Sequence, residues 1–383
     1  MFLHFIQPDR KFLDPIRIVF ESAAPGRHRY VVVGAPAEGQ VLPVGVLHVE
    51  DPRGFPDVIH SEVDWEGVLI HGLPFETAGS LLNEIPATTS VAWYVWGFEV
   101  YEAWPRLREQ LLMPETRRIA NQLAGAAWKR WVARRSWLVR RREQAIFRVA
   151  DRYDYCVAQF REEHELFVEK GILRSTEFHW GSYGSLGDYV DANADISVGE
   201  DLQLGNSALP TNNHVDAMCF LSGSHQGFGR VIVPLTYGNG AYRDVVLASG
   251  RDRLGTRFCP LVDFMPPDEY AVPLRSCGHV VMNHRRQQAV GNILESLWRG
   301  AHVYMNDTTV YRALKRQGFD VKPIGATFGP GERAALESCS HEQASHHRDL
   351  LREHLDRKKV LAETMDLLDR LSSKRRPRHR APA

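Results

Sequence analysis

Between positions 200 and 328, short β-branched and apolar runs alternate with longer stretches of helical period, the pattern of βα units around a parallel sheet. Strands are expected at 202–204, 230–234, 258–262, 279–282, 302–305 and 321–324, with helices between them at 212–221, 241–250, 267–276, 287–298 and 309–317. Strands joined by helical crossovers in this way make one doubly wound domain. The first half repeats the theme less regularly, with strands expected at 16–20, 29–33, 46–49, 68–71, 90–95 and 155–158. The stretch 175–199 is rich in Gly, Ser and Asp and has linker composition.

The expected organisation is an α/β protein of two Rossmann-like, doubly wound domains facing a cleft: the first over 1–177, a linker over 178–200 and the second over 201–330. A charged helical extension with a basic tail fills 331–383. Two such domains bind ligands at the carboxyl ends of their strands. Dehydrogenases, periplasmic binders, phosphorylases and GT-B glycosyltransferases share that arrangement, so the choice among them falls to the turns.

Composition narrows the choice only slightly. Lys+Arg and Asp+Glu number 47 each, so no overall field draws the chain to polyanions, and no nucleic-acid role is expected. Five cysteines without a C-x-x-C pair argue against a disulfide framework or a cysteine metal site and fit a cytoplasmic setting. The opening MFLHFIQPDRKF meets Pro8 and Asp9 too early for a signal peptide, and no window approaches the ~18 apolar residues of a membrane span.

Three turns carry the candidate chemistry. The first reads LQLGNSALPTNNHVDAM: Gly205 permits a tight turn, and Asn206, Ser207, Asn212 and the following helix N-terminus can hold a phosphate, with His214 in the first turn of that helix. Read alone, Asn212 is equally a helix cap. The second, MNHRRQQAVGNILESLW, offers Arg286, Gln287 and Gln288 beside a helix dipole that favours anions, with Gly291 allowing close backbone approach. The third, IVPLTYGNGAY, offers Tyr237 and Gly238. No G-x-G-x-x-G follows any strand, which weighs against a nicotinamide enzyme.

In the first half, WYVWGFEVYEAW can form a stacking surface for a sugar through Trp93, Trp96 and Tyr101, with Glu99 and Glu102 as carboxylates at the end of a strand. The plainer alternative makes the tryptophans core and the acids a helix-terminal charge bias. His71 in LIHGLP ends a strand, where a structural role is the commoner one.

On these motifs the chain resembles glycosyltransferase family 56, which moves 4-acetamido-4,6-dideoxygalactose from its dTDP form onto a polyprenyl-linked disaccharide. The segment W-x-x-W-G-x-acid-x-Y-E is met by Trp93, Trp96, Gly97, Glu99, Tyr101 and Glu102, and the G-N-S turn with N-x-H by Gly205, Asn206, Ser207, Asn212 and His214. The R-Q-Q-x-x-G turn is met by Arg286, Gln287, Gln288 and Gly291, the D-x-Y-x-x-x-L-R-x-C pattern by Asp268, Tyr270, Leu274, Arg275 and Cys277, and the H-G pair by His71 and Gly72. Glu99 stands where the family pattern has Asp, and the charged C-terminal extension has no family counterpart.

The resemblance implies a GT-B glycosyltransferase with a dTDP-sugar donor in the second domain and a glycan or polyprenyl-linked acceptor in the first. A UDP-sugar, a soluble acceptor or an inactive sugar-nucleotide binder are the alternatives. No cofactor and no metal is expected, because no D-x-D segment stands in a loop after a strand; DYVDANAD, from Asp188 to Asp195, lies in the linker. Arg286 and the 205–214 turn would neutralise the leaving diphosphate. Glu99, and after it His71, would be the general base of an inverting transfer. A lipid-linked acceptor implies contact with the cytoplasmic face of the inner membrane. Residues 117–148, with ten Lys/Arg, one acid and interleaved Trp128, Trp131, Trp137, Leu138 and Val139, have the composition of an interfacial helix. Read otherwise, that stretch is a solvated helix whose tryptophans pack on the first domain.

Overall fold

A computed structural model describes residues 1–35, 41–61, 63–123, 135–196, 199–223, 227–328, 336 and 339–374. The chain divides into two compact units, each built on one parallel sheet.

In the N-terminal unit the strands are β1 (Phe2–Ile6), β2 (His28–Val33), β3 (Val46–Val49), β4 (Gly67–His71), β5 (Val91–Tyr94), β6 (Tyr155–Ala158) and β7 (Glu177–Trp180), in the order β3-β2-β1-β4-β5-β6-β7. In the C-terminal unit they are β8 (Asp201–Leu204), β9 (Val231–Pro234), β10 (Phe258–Leu261), β11 (Cys277–Met282), β12 (His302–Met305) and β13 (Lys322–Pro323), in the order β10-β9-β8-β11-β12-β13. The chain direction across each sheet reverses beside its first strand, at β1/β4 and β8/β11, which is where a doubly wound sheet opens a crevice at its carboxyl edge. The central strands are buried on both faces, hence their near-continuous apolar sequences.

Three expectations are corrected. The stretch 16–20 lies inside the helix Arg10–Ala23, whose N-terminus is capped by the Asp9 carboxylate accepting from the Lys11 N–H at 3.0 Å. Leu13, Ile16 and Phe20 there are buried at helical spacing, and the β-branched Ile18 and Val19 of that stretch imitate a strand. The strand of this region is β1, the opening apolar run. The expected linker contains β7, the edge of the first sheet.

Nor does the chain divide once. The N-terminal unit comprises Met1–Pro105, Leu138–Asp188 and Leu355–Ala383, and the C-terminal unit Arg106–Trp137 and Tyr189–His354. The helix Pro114–Leu123 joins the second unit because Ile119 enters its core and Asp216 accepts from the Glu115 and Thr116 N–H groups at 2.9 and 2.8 Å. The C-terminal extension splits between the units. His341–His354 stays with the second, where His347 Nε2 accepts from the Asp320 N–H at 3.0 Å. Arg357–Ser373 returns to the first: Leu367, Leu368 and Leu371 join Phe2, Ile16 and Phe20 in its core. A Cβ at Gly67 would lie 2.9 Å from Leu371 Cβ, so the glycine that opens β4 lets this helix settle on the strand.

Candidate functional site

The carboxyl edge of the second sheet gathers a polar network. Gly205 leaves β8 with φ +67°, and a Cβ there would come within 2.7 Å of Asn212 Oδ1 and 2.8 Å of His214 Nε2. Only glycine fits this turn without displacing both side chains. Asn212 is the hub: its Nδ2 donates to the carbonyls of Ser207 and Leu209 at 3.0 and 3.2 Å and to Ser207 Oγ at 3.1 Å. Its Oδ1 accepts from the Asn206 N–H at 3.0 Å and from His284 Nε2 at 2.9 Å. A simple cap reading therefore understates Asn212; it knits the loop to the end of β11.

Asn206 extends the network sideways. Its Nδ2 donates to the Tyr237 hydroxyl at 3.0 Å and its Oδ1 lies 3.4 Å from Gln288 Nε2, while Gln288 Oε1 accepts from Thr211 Oγ1 at 2.8 Å. Gly238 has φ +125°, and a Cβ there would meet the Ala208 carbonyl carbon at 2.6 Å, so the loop after β9 lies directly on the loop after β8. His214 is fully buried and donates its backbone N–H to the Tyr242 hydroxyl at 3.3 Å. Arg286, only 7% exposed, donates to the Gln287 carbonyl at 2.9 Å.

A rung of asparagines braces the edge: Asn213 and Asn283 exchange side-chain-to-carbonyl bonds at 3.0 and 3.1 Å, and Asn306 after β12 donates to Asn283 Oδ1 at 2.9 Å. Asn213, whose φ is +50°, holds the Met113 N–H as well. Asn213, Asn283, His284 and Asn306 were not among the sequence candidates. Asn or His immediately after an apolar strand is the signal that could have found Asn283, His284 and Asn306; Asn213, nine residues beyond β8, carries no such mark.

The remaining donor candidates stand apart from the network. Tyr270 packs on the cluster of Ile232, Leu261, Leu274 and Cys277, and burial raises its phenol pKa. A Cβ at Gly291 would meet Tyr189 at an ordinary 3.7 Å, so close packing does not demand glycine there.

In the N-terminal unit the two proposed bases sit inside. Glu99 is 3% exposed, and its Oε1 accepts from the Trp96 N–H at 2.7 Å at the start of the short helix Phe98–Tyr101. This is the helix-terminal role for Oε1. His71, 0% exposed, has its Nε2 3.1 Å from His4 Nδ1, and His4 Nε2 is 3.0 Å from His28 Nδ1. Burial drives the His71 pKa down to about 3, so it is neutral and enclosed. Trp93 stacks on Tyr153 and Phe167 in the core, whereas Trp96, half-buried, packs on Phe12 and Tyr183.

Among the described residues one group has metal-ligand geometry, His179, Glu363 and Asp366, remote in sequence from the turns above. Two of its three residues already have partners: His179 Nδ1 lies 2.6 Å from the Trp180 carbonyl, and Asp366 accepts from Arg370 Nε at 2.6 Å. Trp128 and Trp131, with the side chains of Trp137, Leu138 and Val139, lie outside the described residues. No described helix is long and apolar enough to cross a membrane.

No family model matches the chain, and no curated protein is similar to it in sequence. Solved structures are similar in fold. AviGT4, a glycosyltransferase involved in avilamycin A biosynthesis, matches over 97% of this chain and 98% of its own at 11% identity and TM-score 0.57. Anabaena HepE in complex with UDP-glucose matches over 97% and 100% at 12% identity and TM-score 0.62. The sucrose-phosphate synthase of Thermosynechococcus elongatus matches over 97% and 99% at 9% identity and TM-score 0.60. With two doubly wound parallel sheets aligned over nearly its whole length to these proteins, the chain has the GT-B fold.

Proposed function

We propose that the chain is a nucleotide-sugar-dependent glycosyltransferase whose donor binds at the carboxyl ends of β8, β9 and β11. One observation carries this reading: the loops after those three strands converge on a buried polar network centred on Asn212, with Arg286 beside it. The Arg286 guanidinium and the N-terminus of the helix His214–Gly223 supply positive potential for a diphosphate. Charge that develops on a leaving nucleoside diphosphate would be stabilised there by groups already in place. The solved complexes of HepE with UDP and UDP-glucose support a nucleotide sugar as donor in this fold.

The resemblance to family 56 favours a dTDP-linked deoxyamino sugar and a polyprenyl-linked acceptor, with residues 117–148 meeting the membrane surface. The HepE complexes favour the second reading, a UDP-sugar. A thermal-shift panel of dTDP, UDP, GDP and NAD decides, since a ligand that binds only the folded chain raises its melting temperature. A pyrimidine nucleoside diphosphate is expected to stabilise the protein; a response to NAD alone overturns the reading. Turnover is expected to persist in EDTA, and its restoration by manganese after a loss would refute the metal-free part.

A further inference from the structure

We propose that His284 is the residue through which the donor site reads a hydroxyl group, its Nδ1 accepting a hydrogen bond from an O–H of the bound nucleotide or sugar. The inference rests on the donor-site reading above and adds a residue and a chemical selectivity to it.

The Asn212 amide fixes the tautomer. Its Nδ2 donates to two backbone carbonyls, which can only accept, so the amide cannot be turned over. The Oδ1 is therefore the atom that faces His284 Nε2 at 2.9 Å, and only an N–H can face it. With the proton on Nε2, a neutral ring leaves Nδ1 as a bare lone pair. Burial, aided by Arg286 and His214 nearby, lowers the His284 pKa to about 3 and keeps the ring neutral.

His284 is 3% exposed, and its Nδ1 has no hydrogen-bond partner among the described residues. Gln287 Oε1, in the same loop, is likewise buried without a partner among the described residues. Buried acceptors left unmet are costly, so they point to a ligand that brings donors. A diphosphate brings only acceptor oxygens at neutral pH and would be repelled by a lone pair. Arg286 stands between the two acceptors in sequence. The loop thus pairs a cation suited to phosphate with acceptors suited to hydroxyls, which matches a nucleotide sugar better than a bare diphosphate.

Calorimetric titration of the full chain with UDP, UDP-glucose and inorganic pyrophosphate tests this, comparing wild type with His284→Phe and His284→Gln. His284→Phe should weaken nucleotide binding roughly tenfold to a hundredfold while pyrophosphate stays within about twofold. A loss already seen with UDP places the hydroxyl on the ribose, and a loss seen only with UDP-glucose places it on the sugar. Glutamine can donate to Asn212 and still offer an oxygen, so His284→Gln should stay within about threefold of wild type. Equal losses for pyrophosphate and nucleotides, or unchanged nucleotide affinity, overturn the assignment. Should His284→Phe fail to fold, imidazole nitrogen NMR of the wild type decides: Nδ1 must be unprotonated and must shift when UDP or UDP-glucose is added. If the wild type binds none of UDP, UDP-glucose and dTDP, the donor-site reading falls first and this inference with it.

Discussion

At the scale of single residues the candidate site is a matter of which polar atoms are already engaged. Glu99 spends Oε1 on the Trp96 N–H, and glutamine offers the same acceptor through its carbonyl oxygen. Glu99→Gln is therefore expected to keep the fold and more than about a tenth of the turnover, whereas loss of a general base costs about 10²- to 10⁴-fold. A drop of that larger size in steady-state rates would restore Glu99 as the base. Glu99→Ala strands a buried N–H and should cost about 1–3 kcal/mol in denaturant melts. Arg286→Ala is expected to weaken nucleoside diphosphate binding by about 1.5–3 kcal/mol, the worth of a hydrogen bond to a charged group; unchanged affinity by calorimetry would move the phosphate site elsewhere.

At the scale of elements, two junctions are held by shape. The helix Arg357–Ser373 presents Val360, Thr364, Leu367 and Leu371 on one buried face, and Leu371 closes over β4 at Gly67. Leu371→Ala should destabilise the N-terminal unit by about 2–5 kcal/mol, the range for a buried leucine truncated to alanine; a melt within about 0.5 kcal/mol of wild type would mean that the helix does not pack there. Gly238 joins the loops after β8 and β9 with a backbone that side chains rarely adopt. Gly238→Ala is expected to cost about 1–3 kcal/mol in strain alone, and nucleotide affinity should fall with it, because the Ala208 carbonyl must move.

At the scale of the whole molecule, buried neutral histidines make both units acid-labile. Burial lowers His71, His214 and His284 to about 3 and His28 and His347 to about 4. Unfolded histidines take up protons below about pH 6.5, while these folded ones stay neutral until pH 3 to 4. Their stabilising contribution is complete above about 6.5 and declines as pH falls through that window, because the unfolded chain binds more protons. Melting temperature should therefore drop between pH 7 and 4, beginning above the carboxylate range. A flat profile from pH 7 to 5 would show that the histidines are solvated.

The sequence by itself determined the alternation of strand and helix in the second half, because a parallel sheet buried on both faces demands short apolar runs set between longer amphipathic stretches. It marked the turns at 205–214, 237–238 and 286–288 as well, since glycine and amide side chains cluster where a chain must turn tightly and stay polar. Local pattern could not tell the helix Arg10–Ala23 from a strand over 16–20, where β-branched residues fall on a helical face. Only the tertiary structure decided that 114–123 and 357–373 belong to units other than their sequence neighbours, for such docking depends on complementary surfaces far apart in the chain. It decided as well that Glu99 and His71 are enclosed and that Asn213, His284 and Asn306 complete the polar edge. Burial and hydrogen-bond pairing are properties of neighbours in space, and residue type alone does not carry them.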